Sequence, residues 1–210
     1  MFSLDFGNST TLSTEKLEAM CRAALAGWSV LACSAMFFLL PQYGWGQTEG
    51  HPAHFAQLLE QAGLEVFKPV DAGYRSFEPL ENEYLNCHHA IRSNKEDLQI
   101  RYYVLPWNEA DPSSVAPHVA TFRALSTIAS NADEAVISAI EPSREALLRD
   151  FNADWGMTYF FQPKPAFAIE PTCKMLALCK EGQGTVFVFF LFGDPGNTAL
   201  DRREVAVRFR

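Results

Sequence analysis

The stretch "YLNCHHAIR", Tyr84 to Arg92, sets a cysteine directly before two histidines in a chain that holds five of each. Thiolate and imidazole are ligands that zinc favours, and they also serve as nucleophile and base in cysteine-dependent enzymes. Read as a strand, the stretch alternates its side chains between two faces. Leu85, Cys87, His89 and Ile91 then share the more apolar face, while Asn86, His88, Ala90 and Arg92 share the other. On that reading Cys87 and His89 reach one metal ion together, with Cys173 or Cys179 of a nearby strand adding thiolate. The competing reading is structural. The shared face is also the core face of a hairpin, where a thiol acts as a small hydrophobe beside a hydrogen-bonded histidine. A cysteine nucleophile needs exposure and a base within reach, and two buried residues on one strand supply neither readily.

Other chemical signals are sparse. The chain contains no C-x2-C, H-E-x-x-H or H-x3-H spacing for a metal. It also lacks the G-x-S-x-G, Walker A and G-x-G-x-x-G patterns of serine hydrolases, nucleotide sites and dinucleotide sites. His51 and His54 sit at i, i+3 on a predicted helix, a chelating spacing in a polar, chain-start setting. "DFNADW" offers Asp150, Asn152 and Asp154, which read as caps and solvated charges before they read as calcium ligands. What remains is aromatic. Tyr103, Trp107, Trp155 and Tyr159 fall near strand ends, where they can line a groove for an apolar ligand, a peptide or a glycan. Nothing in the sequence asks for a cofactor.

Composition narrows the classes. At 210 residues and 48% apolar residues, with seventeen Phe, the chain has ample material for one large core. Its net charge of −8 and lack of a Lys/Arg cluster make nucleic acid an unsuitable partner.

The N-terminal part has its own character. Ala23 to Leu40, "AALAGWSVLACSAMFFLL", is eighteen residues without a charge, preceded by Arg22 and ended by Pro41. With Gly44 and Gly46 at −3 and −1 of a cleavage point, residues 1–46 read as an export signal. The alternatives are an uncleaved anchor, because eighteen apolar residues just span a bilayer, and a buried helix, because length alone separates the two poorly. Residues 47–210 then form a single domain that keeps Cys87, Cys173 and Cys179. Cys173 and Cys179 lie about 20 Å apart on one strand and cannot bridge each other, so any disulfide involves Cys87.

Periodicity gives the elements of that domain. Phe55, Leu58, Leu59 and Ala62 mark a helix stopped by Gly63, and "LEVFKPV" follows as a strand. A hairpin joins the stretch 84–92 to "LQIRYYVLPW", with Leu98, Ile100, Tyr102 and Val104 on its core side. Val115, Val119, Phe122, Leu125 and Ile128 predict a helix that buries those residues, with Pro117 in its first turn. Residues 134–150 read as a second helical stretch restarted at Pro142. "GMTYFF" predicts a strand, and "TCKMLALCK" and "TVFVFFLF" predict a hairpin covered on both faces. "REVAVRFR" alternates Val205, Val207 and Phe209 as a closing strand, with a helix over "TALDRREVAVRF" as the alternative. The class is α+β: an antiparallel sheet of about five to six strands with helices on one or both faces.

The runs "DFNADWGMTYFFQPKP" and "CKMLALCKEGQGTVFVFFLF" resemble small exported bacterial proteins of Mog1/PsbP-like outline, an α/β/α sandwich. That resemblance implies a non-catalytic accessory or binding domain in the cell envelope, with a protein or a small apolar ligand as partner. The alternative from the residues themselves is a small thiol- or metal-dependent enzyme built on Cys87 and His89.

Overall fold

Helix α1, Ala53–Gln61, opens the described part of the chain; Phe55 and Leu59 within it and Ala62 at its end are buried, and Leu58 packs beside them, as the expected apolar stripe requires. The computed structural model describes residues 51–78 and 85–210. The export or anchor segment, 1–46 with its apolar run 23–40, and the strand start at Tyr84 lie outside the described residues. Gly63 ends α1 at φ +56°, a left-handed turn that glycine adopts without strain.

Seven strands form the main sheet: β2 (Arg75–Ser76), β3 (His89–Ser93), β4 (Leu98–Pro106), β5 (Ser138–Ile140), β6 (Trp155–Phe161), β7 (Thr172–Lys180) and β8 (Gly184–Phe192). Their order is β2-β3-β4-β8-β7-β6-β5, and every pairing is antiparallel. A separate ribbon pairs β1 (Leu64–Val66) with β9 (Val207–Phe209), drawing the end of the chain back to α1. The α+β class holds. The sheet is longer than five to six strands because β2 and β5, two and three residues long, add at the two edges where no periodic pattern marks them.

The center of the sheet follows from the apolar runs. Nearly every residue of β7 and all of β8 are buried, and they pair in full from Thr172↔Phe192 to Lys180↔Gly184. Val186, Val188, Phe190 and Phe192 face one core cluster, and Phe187, Phe189 and Leu191 face the other. The first face is covered by α1, the β1–β9 ribbon, Leu147 and Phe151, and helix α5, Ala199–Glu204. The second is covered by helix α3, Pro117–Ile128, and by Phe167 and Ala168. At the turn between β7 and β8, Gly184 sits at φ +144° with no room for a Cβ against Leu105 O.

Four expectations are corrected. First, α3 turns Val119 and Phe122 to solvent, 42% and 72% exposed, and buries Ala120, Thr121, Ala124, Leu125 and Ile128. Val115 belongs to a separate short helix, α2 (Pro112–Val115), so an apolar stripe counted across the break at Ala116 starts in the wrong phase. The sheet below already carries Phe187 and Phe189, and the small alanines let the helix lie over them. Second, the part of 134–150 before Pro142 is not helical, while the stretch restarted after it is. The β-branched run around Ser138–Ile140 pairs with β6, and helix α4 is only Arg144–Ala146 before a π-helical turn, Leu147–Phe151. Its cap is Ser143, whose Oγ accepts from Ala146 N at 3.2 Å. Third, the two readings of the chain end are both realised in sequence: α5 first, then β9, which leaves Val205 50% exposed at the junction. Fourth, Cys87 and His89 do not share a face.

That last correction has a local cause. Strand β3 begins only at His89, opposite Tyr102. His88 N also donates to Tyr102 O at 2.8 Å, and His88 Nδ1 accepts from Val104 N at 3.0 Å, a place a strand carbonyl would otherwise fill. Two residues thus stand against one, a bulge that resets the alternation. His89 packs on the first face against Phe55 and Tyr102, and Cys87 packs on the second.

Arg203 of α5 locks the loops at one end of the sheet. Its Nη2 lies 2.6 Å from Glu96 Oε1 and 2.9 Å from Asp71 Oδ1, and Tyr74 Oη donates to Glu96 Oε2 at 2.7 Å. Asn152, left-handed at φ +50°, donates to Phe209 O and Arg210 O, so "DFNADW" serves as turn and cap.

Candidate functional site

Where α3 lays its alanines over the second face, the packing is incomplete. A cavity of about 300 Å³ opens there. Tyr103, Leu105 and Phe187 form its floor, and Ala120 and Ala124 face them from α3. Leu85 closes one side, and Asp111, Arg123 and Thr127 bring polar groups to the lining. Tyr103 is placed by register: it pairs with Phe187 across β4 and β8, the two rings stack at 6.2 Å, and the His88 ring stacks on its other side at 4.7 Å. Burial is the main cause that raises the Tyr103 pKa, so its hydroxyl stays protonated at neutral pH.

Of the four aromatic residues singled out from sequence, Tyr103 lines this cavity. Trp155 and Tyr159 lie on the same face of the sheet but on β6, half-buried against the second core cluster and opposite Cys179 and Met175. The order β4-β8-β7-β6 puts β6 three strand spacings from β4, about 14 Å. Trp107 follows directly on β4, half-buried, with its backbone N–H donating to Gln183 O at 3.0 Å. The fold thus divides these aromatics between the cavity and ordinary packing. Sequence reading missed Phe187, Arg123 and the alanine face of α3. The run "TVFVFF" hides Phe187 among equals, and small residues on a helix carry no signal of their own.

The cysteines stand apart from the histidines. Cys87, Cys173 and Cys179 are free thiols. Cys87 keeps some exposed surface, but crowding around its thiol raises the pKa to about 12, and Cys173 is pushed well above the usual range by burial. Neither is a thiolate at neutral pH. Arg101, buried under Phe167, donates to Phe167 O at 2.6 Å and lies in reach of the Cys87 and Cys173 fields.

His51 and His89 gather on the opposite side with Phe55, whereas the His88 ring stays on Tyr103. His51 meets His89 edge to face at 5.2 Å, Phe55 stacks on His89 at 4.8 Å, and His54 meets His88 at 6.1 Å. His51 Nε2 lies 3.3 Å from Val66 O, which leaves His51 Nδ1 and His89 Nε2 buried without a protein partner. Burial lowers the pKa of His51 and His88, and it takes His89 down to about 4. These rings are neutral at pH 7. Among the described residues no three His, Cys, Asp or Glu side chains converge as metal ligands. Cys87 and His89 in particular present themselves to different faces, so one ion does not receive both.

Comparisons with family models, curated proteins and solved structures found no match.

Proposed function

We propose that this chain is an exported, non-catalytic binding domain of the cell envelope, whose cavity under α3 takes a small ligand with an apolar or aromatic body. The observation that carries the reading is the cavity itself: about 300 Å³, with Tyr103 and Phe187 as an aromatic floor. That volume is at the small end of ligand sites, and the lining joins an aromatic floor to a polar side in about equal measure, so that polar groups can orient a guest. Asp111, Arg123 and Thr127 supply those groups. The inert state of Cys87 and its separation from His89 support a binding role over thiol or metal catalysis. Export rests on the segment 23–40 and its flanks. The likeness to Mog1/PsbP-like accessory domains fits the same role.

Calorimetric titration with 2-naphthoate tests the cavity. Saturable one-to-one binding is expected, with Ala124→Phe abolishing it by filling the space while the melting temperature stays level or rises. Tyr103→Ala should weaken binding roughly tenfold, the worth of one stacked aromatic contact. Equal binding by Ala124→Phe, or none by the wild type, removes the reading. Intact mass of protein recovered from the envelope tests export: loss of residues 1–46 is expected, and full-length protein in the membrane would make 23–40 an anchor instead.

A further inference from the structure

At the β2 edge two positive charges face each other. Arg75 of β2 and Arg92 of β3 are direct cross-strand partners, both exposed. Side chains in that relation stand about 5 Å apart at Cβ, and like charges there oppose the pairing. A two-residue strand has few hydrogen bonds with which to outweigh that repulsion. No carboxylate among the described residues neutralises either one. The seven ion pairs there leave both arginines out, and Asp71, the acid nearest along the cleft wall, is engaged by Arg203.

The same two arginines line an open cleft of about 720 Å³. Lys95 adds a third cation there, its Nζ 3.4 Å from Asp71 O, and Ser76 and Asn94 add neutral hydrogen-bonding side chains. Three cations with a single, already paired carboxylate make a positive patch on a chain whose net charge is −8. Guanidinium forks side by side match the oxygens of a phosphate or carboxylate, which each can hold through two parallel hydrogen bonds.

We propose that this cleft is an oxyanion site, in which Arg75 and Arg92 grip one phosphate or carboxylate group between them and Lys95 adds charge. The bound anion converts the repulsive pair into a bridge that fastens β2 to the sheet. The site is separate from the cavity under α3 and does not depend on it.

Its test uses the purified protein in chloride buffer, with inorganic phosphate, citrate, and vesicles of phosphatidylcholine with or without phosphatidylglycerol as probes. Melting temperature should rise saturably with phosphate or citrate, and Arg92→Gln should weaken that response at least tenfold. Without an oxyanion, Arg75→Gln should melt at or above the wild-type temperature, because it removes the repulsion; with phosphate the order should reverse. Binding to the phosphatidylglycerol vesicles that Arg92→Gln abolishes assigns the anion to a lipid headgroup, and phosphate or citrate binding without vesicle binding assigns it to a soluble ligand. A response that Arg92→Gln leaves unchanged overturns the proposal. So does a wild type indifferent to all three probes, or an Arg75→Gln protein that melts lower in chloride alone.

Discussion

The two faces of the central sheet are built to different standards. The first is sealed: Phe55, Leu59, Ile100, Phe190, Phe192 and Phe209 are each 2% exposed or less, and large side chains of α1, β1 and β9 interlock over them. The second mixes Phe187, Phe189 and Leu191 with the buried Arg101 and Gln99, and it is covered by a helix that offers alanines. One face is packed to hold the fold together. The other is packed loosely enough, in one place, to leave a cavity. A cavity survives where two layers meet small against large without full interdigitation, and its cost is tolerable because the opposite face carries the stability.

Truncation should expose this contrast most sharply. Phe190→Ala empties a fully enclosed site on the first face and should cost about 4 kcal/mol in urea melts, within the range for buried aromatic truncations. A loss below about 1 kcal/mol would mean the first face is not sealed.

A pH series is the next largest effect and also belongs to the first face. His89 titrates at about 4 in the folded protein against 6.5 in the unfolded chain. As the pH falls below 6.5 the unfolded chain takes up the proton first, so stability is full above that value and declines toward pH 4. The total is on the order of 3 kcal/mol for His89, and the lowered His51 and His88 act in the same direction. His89→Phe, which preserves the stack on Phe55, should flatten most of that slope. Stability that is level from pH 7.5 to 4.5 would place a charged, solvated imidazole there.

The smallest effect tests the orientation of α3. Phe122→Ser should change stability by less than about 0.5 kcal/mol, because a residue 72% exposed leaves little surface to lose. A cost of 2 kcal/mol or more would turn the helix back to the face that its apolar periodicity suggests.

Much of the first face was readable from the chain. The stripe Phe55–Leu59, the alternation of Leu98, Ile100, Tyr102 and Val104, and the uninterrupted Val186–Phe192 all bury as their periods require. The candidate site was less legible. Tyr103 stood among the aromatics worth inspection, yet its stacking on Phe187 depends on the β4–β8 register, a pairing of segments some eighty residues apart. The bulge at His88 escaped notice because an imidazole nitrogen accepting a backbone N–H leaves no mark on a pattern of apolar and polar letters. The same is true of the arginine pair, which exists only because β2 docks against β3.

By itself the sequence determined the class and its center: two-sided apolar strands must lie inside a sheet covered on both faces, and the short "EGQG" connection between them makes that pair antiparallel. Tertiary structure alone decided which residues meet. The separation of Cys87 from His89, the alanine face of α3 above Tyr103, and the confrontation of Arg75 with Arg92 each hang on register and helix phase. Those are set by long-range packing: a one-residue slip of register would exchange a strand's faces, and a one-residue change of helix phase would turn the buried side by about 100°.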